Sequence, residues 1–257
     1  KRIADEFNAY FASVGSDLES QIPNATTDPR HYLTGNFPDS LFLAPTTQFE
    51  VSTCLLRLKN SSAGHDLLQP SIIKLNSDII AGPLAHVLNL CLEQSTFPNE
   101  LKTANVVPIH KGGDTSPFPN YRPISILPVF SKIFERLLYT RLYRFFQEKG
   151  VITDSQFGFR KNYSTELALA YTTDLITSEM DKGNSVIGLF LDLRKAFDTV
   201  HHDILLKKLN HYGVRGECLN LLKNYLSDRN QAVKFNNQLS SLKTLNFGVP
   251  QGSILGP

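Results

Sequence analysis

Cysteine is scarce in this chain: Cys54, Cys91 and Cys218 are the only three among 257 residues. They are odd in number, far apart and without ligand-spaced partners. That excludes a disulfide scaffold, argues against a zinc site and suits a reducing compartment. Long apolar runs are missing as well. No stretch approaches the roughly 18 uninterrupted apolar residues that a membrane-spanning helix needs. There is no internal repeat, no low-complexity tract, no Walker A loop and no dinucleotide fingerprint. The single methionine is Met180, the first residue is Lys1, and the last two, Gly256-Pro257, directly follow a dense motif. The sequence is therefore expected to be an excerpt of a longer protein. No secretory or transit signature stands at its start.

What is present is enough to build a core. Hydrophobic residues make up 41% and charged residues 19%, which excludes wholesale disorder, collagen and coiled coil. The net charge of +2 conceals an uneven distribution. Residues 1–50 carry three Lys and Arg against seven Asp and Glu, whereas residues 101–170 carry ten against five. A basic middle segment is what a polyanion-binding face leaves in a sequence, although a solvated set of helix faces leaves the same mark.

Ile3, Phe7, Tyr10, Phe11, Val14 and Leu18 form one helical stripe over residues 3–18. Residues 21–46, rich in Pro, Thr and Asn, read as a linker. Thr47 followed by Glu50 resembles a capping box, with Val51, Leu55 and Leu58 marking the helix behind it. A second apolar helix is expected over 84–92. Residues 104–109 read as a strand, with Pro108 favouring a sheet edge, and 110–121 as a loop. The clearest helix is 131–149, ended by Gly150; others are expected over 164–180, 201–212 and 216–227. Val186–Leu191 is an apolar run of the kind buried on both faces of a sheet. Residues 230–236 and 243–249 read as strands joined by a turn at Asn236-Asn237. The pattern is that of an α+β chain with an open sheet late in the sequence.

The chemistry-bearing blocks begin with Leu189-Phe190-Leu191-Asp192-Leu193-Arg194-Lys195-Ala196-Phe197-Asp198. A carboxylate closing a buried strand is costly unless paired or bound to a cation. Emerging into a cleft it can ligate Mg²⁺, and alone it can equally cap the next turn. Upstream stand Val107-Pro108-Ile109-His110-Lys111-Gly112-Gly113-Asp114, Asn120-Tyr121-Arg122-Pro123-Ile124-Ser125-Ile126-Leu127, and Gln156-Phe157-Gly158-Phe159-Arg160-Lys161 with Ser164-Thr165 behind it. Downstream stands Gly248-Val249-Pro250-Gln251-Gly252-Ser253-Ile254-Leu255-Gly256-Pro257.

These blocks, in this order, resemble the reverse transcriptase domain of non-LTR (LINE-like, jockey-type) retrotransposons over roughly residues 50–257. The resemblance implies right-hand polymerase fingers plus an incomplete palm with a mainly antiparallel sheet, and no thumb. It implies a polymerase domain over 47–257, with 1–46 an upstream helix and linker. It implies RNA-directed DNA polymerisation on an RNA template and DNA primer from dNTPs, with two Mg²⁺ ions clamping the attacking and leaving oxygens. Asp192 would be the first metal carboxylate, with the backbone carbonyl of Leu193 beside it. Phe197 would sit under the incoming sugar as a steric gate. Lys111 and Arg122 would grip the triphosphate, with Gly112 and Gly113 allowing close approach. Gln251 and Gly252 would lie against the nucleotide and template, the glycine allowing the backbone to come near. Arg160 and Lys161 would contact template or nucleotide. An upstream endonuclease, no membrane, and a ribonucleoprotein in the nucleus or cytoplasm complete what the family implies.

One departure bears on activity. The family's site also needs an aromatic-x-Asp-Asp turn, and no Asp-Asp pair occurs in these 257 residues. One carboxylate cannot hold two divalent ions, so this polypeptide as it stands is expected not to polymerise. A non-catalytic RNA-binding remnant is the alternative. An unrelated hydrolase or phosphotransferase using Asp192 fits poorly: position 194 is Arg where a second acid would be wanted, and Ser253 directly follows Gly252 instead of standing in a nucleophile elbow. Asp198 reads as a structural or capping residue. His201 and His202, being adjacent, point apart on a helix and read as surface. The aromatics of 139–146 read as core.

Overall fold

A computed structural model describes residues 1–22 and 27–257. Eight α-helices and five strands are found among them: α1 (Arg2–Glu19), α2 (Gln48–Leu56), α3 (Pro70–Leu75), α4 (Ser77–Glu93), β1 (Thr103–His110), β2 (Tyr121–Ile126), α5 (Val129–Glu148), α6 (Thr165–Asp181), α7 (His202–His211), α8 (Gly216–Leu226), β3 (Arg229–Phe235), β4 (Gln238–Leu239) and β5 (Lys243–Leu245). The sheet order is β2-β1-β3-β4, with β5 also on β3. Every pairing is antiparallel except β1 with β3. The chain is thus mixed α/β with a largely antiparallel sheet.

β2 was not expected from the sequence and overlaps the loop read over 110–121 only at Tyr121. Arg122 and Pro123 interrupt its apolar pattern, but the register Ile109↔Arg122 and Val107↔Ile124 makes a regular hairpin with β1. β1 is not an edge strand, since β2 and β3 flank it. Pro108 is nevertheless accommodated: it faces Pro123, and pairing with β3 has already stopped at Val106, so its missing N–H costs no ladder bond on that side.

The helices pack where their apolar stripes point. Phe7 and Phe11 of α1 cover the sheet with Ala104, Val106, Tyr121 and Val233. Asn8, buried beneath α1, donates to Ser240 Oγ at 3.0 Å and accepts from Gln231 Nε2 at 2.9 Å. The main core joins α2, α4, α5 and α8, with Phe97 stacked on Phe134 at 4.9 Å. The Thr47–Glu50 capping box is present, and Glu50 also pairs with Arg141 of α5 at 3.2 Å. α4 begins two turns before the expected 84–92, because Pro83 is held inside the helix.

α1 lies on the sheet, and Arg215 donates to the carbonyls of Phe37, Pro38 and Asp39 in the stretch before α2. The linker expected over 21–46 includes residues 23–26, which lie outside the described residues.

The largest correction concerns Val186–Leu191. It forms no strand and is not buried: Ile187 is 94% and Phe190 91% exposed. β1 is paired on both sides, and β3 holds β1 on one side and β4 and β5 on the other, so neither offers this run a ladder. An apolar run without a partner strand has nothing to bury against. The strand expected over 243–249 is likewise short, pairing with β3 only over Lys243–Leu245. Asn236 and Asn237 do form a turn, both in the left-handed region at φ +47° and +59°.

Candidate active site

The hairpin tip between β1 and β2 is well built. Lys111 N–H donates to the Asn120 carbonyl at 2.8 Å, Asn120 Nδ2 to the Asp114 carbonyl at 2.8 Å, and Tyr121 Oη to the Thr115 carbonyl at 2.9 Å. Gly112 has φ +122°, with open space where a Cβ would stand. The side chains of Lys111 and Arg122 are exposed.

Residues 248–253 lie against this hairpin. Ser125 N–H of β2 donates to the Gln251 carbonyl at 2.7 Å. At Gly252, φ is +104° and a Cβ would stand 3.1 Å from the Ser125 carbonyl oxygen, so the approach needs glycine. The same loop is tied to the block around Asp198. Gln251 Nε2 donates to Asp198 Oδ1 at 2.7 Å, Val249 N–H to the Phe197 carbonyl at 2.8 Å and Gly248 N–H to the Val200 carbonyl at 2.9 Å. His202 Nε2 lies 2.8 Å from the Gly248 carbonyl oxygen, so this histidine does more than face solvent.

Asp198 thus has the structural part of the two parts open to it, through the bond to Gln251, and the N-cap position of α7 is held by His201, without a side-chain capping bond. Burial raises the Asp198 carboxyl above its usual range, opposed by the Gln251 hydrogen bond and by the charges of Lys195 and Lys111. Burial, then the like charge of Lys111, lowers the Lys195 ammonium. Lys195 is in the left-handed region at φ +55°, and its Nζ stands 5.6 Å over the Tyr10 ring. Lys111, Arg122, Arg194 and Lys195 make no ion pair among the described residues. Unpaired cations gathered around a hydrogen-bonded amide and a flexible glycine tip can hold a polyanion.

The other expected site residues are placed differently. Phe197 is half-buried, 6.1 Å from the Phe159 ring edge to face. Asp192 and Leu193 are exposed, on the unpaired run. The Arg160 guanidinium is turned into its own loop. It donates to the Thr153 carbonyl at 2.8 Å and stacks over Tyr163 at 4.0 Å, its side chain only 7% exposed. Lys161 faces solvent. Sequence reasoning passed over Lys195, and read Asp198 as structural or capping without its bond to Gln251. The signal available was the same block that singled out Asp192 and Phe197.

A magnesium pair does not fit the residues present. Among the described residues no group of three His, Cys, Asp or Glu could hold a metal. Asp192, one exposed carboxylate, does not make a two-ion clamp with the Leu193 carbonyl.

The hairpin, residues 197–200 and the loop 248–252 thus meet at one place, and comparison with known proteins defines the class. Residues 109–257 match the family model described as reverse transcriptase (RNA-dependent DNA polymerase), and the chain belongs to that family, whose members are nucleotidyltransferases. It is 36% identical over 228 residues to the RNA-directed DNA polymerase from mobile element jockey of Drosophila melanogaster, covering 88% of this chain and 25% of that protein. It is 35% identical over 217 residues to the "Probable RNA-directed DNA polymerase from transposon X-element" of the same species, covering 84% of this chain and 24% of that one. The jockey polymerase of Drosophila funebris is 33% identical over 215 residues. These are polymerases of non-LTR retrotransposons, and the chain spans about a quarter of the length of the curated relatives it matches.

Proposed function

We propose that this chain is the nucleotide-gripping portion of an RNA-directed DNA polymerase of a non-LTR retrotransposon, working on dNTPs with an RNA template and a DNA primer. The observation that carries the reading is the Gln251–Asp198 hydrogen bond together with the Ser125–Gln251 backbone bond. They draw three blocks, widely separated in sequence, onto one set of free cations. The β1–β2 hairpin corresponds to the fingers, and residues 186–198 with β3 and β5 to part of a palm.

Lys111 and Arg122 hold the triphosphate, and Lys195 adds a third cation from beneath. Phosphate oxygens beside the Lys195 ammonium would favour its charged form, opposing the effect of burial. Phe197 lies under the sugar, its backbone fixed by Val249, and crowds a 2′-hydroxyl. Gln251 is aimed by Asp198, and Gly252 brings the backbone close to the bound base. Lys161 is the residue of its loop that meets template phosphates; Arg160 shapes that loop. The carboxylates for a two-magnesium clamp are not complete within these residues, so the 257-residue polypeptide binds without polymerising. A fused upstream endonuclease belongs to the same proposal for the longer protein, supported by how small a share of its relatives this chain covers.

Primer extension by this chain on a primed RNA template, with Mg²⁺ and dNTPs, tests the reading alongside a binding titration. The expected result is RNA binding that weakens as salt is raised, without extension. Template-dependent products abolished by Asp192→Ala would overturn the incompleteness. No RNA binding even at low salt would overturn the nucleic-acid reading.

A further inference from the structure

Glu135 stands in the middle of α5, within the main core, and its exposure is 0%. A carboxylate there is expensive to desolvate, and replacing it with an apolar side chain of similar volume is often neutral or stabilising. Packing therefore does not account for its presence. Its hydrogen bonds run to three separate parts of the chain. Oε1 accepts from Ser131 Oγ of its own helix at 3.2 Å and from Tyr225 Oη of α8 at 3.2 Å. Oε2 accepts from the backbone N–H of Ile254 at 2.7 Å, the shortest of the three. Arg229 of β3 supplies the opposite charge. Its Nη1 donates to the Tyr225 carbonyl at 3.0 Å and its guanidinium stacks over the Tyr225 ring at 4.7 Å, while Nη2 is buried with no partner among the described residues.

The Ile254 amide lies three residues beyond Gln251. The segment between is folded on itself: Ser253 Oγ donates to the Pro250 carbonyl at 2.8 Å and accepts from Gly256 N–H at 3.0 Å. One side of this compact loop is anchored to Ser125 and Asp198. The other side has Glu135.

We propose that Glu135 is a positioning residue: through the Ile254 amide its buried carboxylate fixes the loop that presents Gln251 and Gly252. Its functional meaning rests on the reading of that loop as nucleotide-facing. A charged acceptor suits the task because one carboxylate satisfies an amide, a phenol and a hydroxyl at once, and the charge of Arg229 favours its ionised form from beyond ion-pair distance. An isosteric amide keeps the Ile254 bond only by turning its NH₂ toward the Ser131 and Tyr225 hydroxyls, which must then accept instead of donate, and it brings no charge; an apolar side chain loses the acceptor altogether.

Amide hydrogen exchange on the 257-residue chain tests this without any demand on catalysis. Glu135→Gln keeps the shape, Glu135→Met fills the space without an acceptor, and the two are compared with wild type. The expected result is that the amides of residues 253–256 exchange about tenfold faster or more in Glu135→Met, the scale of one lost bond to a charged group, with Glu135→Gln between it and wild type. Protection in α5 and α8 stays within about twofold. A titration with dGTP on the same samples then weakens in parallel. Unchanged exchange at 253–256 in Glu135→Met would overturn the positioning role. So would a uniform rise across the loop, α5 and α8, which is what a merely structural residue gives. Localised loosening without loss of dGTP binding would instead overturn the nucleotide-facing reading of the loop and leave the positioning intact.

Discussion

Two stretches of this chain are about equally apolar and fare in opposite ways. Val129–Glu148 has its apolar face covered by α2, α4 and α8, with Ile133, Phe134, Leu137 and Leu138 all buried. Residues 165–193 are not covered in this way. α6 has no buried residue, and Val186, Ile187, Leu189, Phe190, Leu191 and Leu193 all face solvent. The difference is one of partners, not of composition. A helix satisfies its own backbone and needs only one face covered, which α2, α4 and α8 supply to α5. A strand needs a ladder beside it as well as cover, and 186–191 has no ladder among the described residues. The site follows the same line. Residues tied to the covered part, such as Lys111, Asp198 and Gln251, are fixed by bonds that can be named, whereas Asp192 is not.

The contrast is tested most sharply by two phenylalanines. Phe134→Ala opens a cavity beside Phe97 and should cost about 3–5 kcal/mol; Phe190→Ala should stay within about 0.5 kcal/mol. Urea unfolding of both variants decides it, and equal losses would mean that 186–191 is buried in solution. Next in size is Gly248→Ala. With φ at +78° and a Cβ 2.8 Å from the Phe197 carbonyl oxygen, it should cost about 1–3 kcal/mol. The loss should be accompanied by faster amide exchange at Val249.

A smaller effect separates core from surface by pH. Burial raises the carboxyls of Glu135 and Asp198. Between their unfolded values near ~4 and their higher folded values, the folded chain keeps protons that the unfolded chain has released. Stability from this source falls as pH rises through that window, and Glu135→Gln should flatten the fall in a series of urea titrations. Asp28 has the opposite sign. Its hydrogen bonds with Arg30 hold it down to about 2. Its contribution is present above ~4 and is lost as pH falls toward 2, a loss that Asp28→Asn should remove.

Much of this was legible in the residues themselves. The Thr47–Glu50 box, the 131–149 helix and the Asn236-Asn237 turn follow from local rules of capping, periodicity and turn geometry, and the structure keeps them. What the residues did not disclose depends on distant partners. β2 was hidden because Pro123 interrupts its apolar pattern, and the proline is tolerated at the sheet edge, where β2 pairs only with β1. Val186–Leu191 carries every local mark of a buried strand, and pairing is not a local property. In the site, the motif blocks pointed to Lys111, Phe197 and Gln251, but the weight borne by Asp198 shows only once residue 251 is folded back onto it. Arg160 looked like a nucleic-acid contact for its charge, yet the carbonyls of its own loop claim its guanidinium.

Titration of a deoxynucleoside triphosphate into this chain in the presence of EDTA bears most directly on the nucleotide-gripping reading, because it needs neither metal nor turnover. Two single-charge deletions are compared: Lys111→Ala at the hairpin tip, and Arg144→Ala, an exposed cation of α5 paired with Glu148 at 2.7 Å. Lys111→Ala should weaken binding about tenfold or more, as loss of a charge-assisted bond does, with Arg144→Ala close to wild type. Equal weakening by both, or none by Lys111→Ala, would contradict a built triphosphate site and leave only a diffuse attraction between a basic surface and an anion.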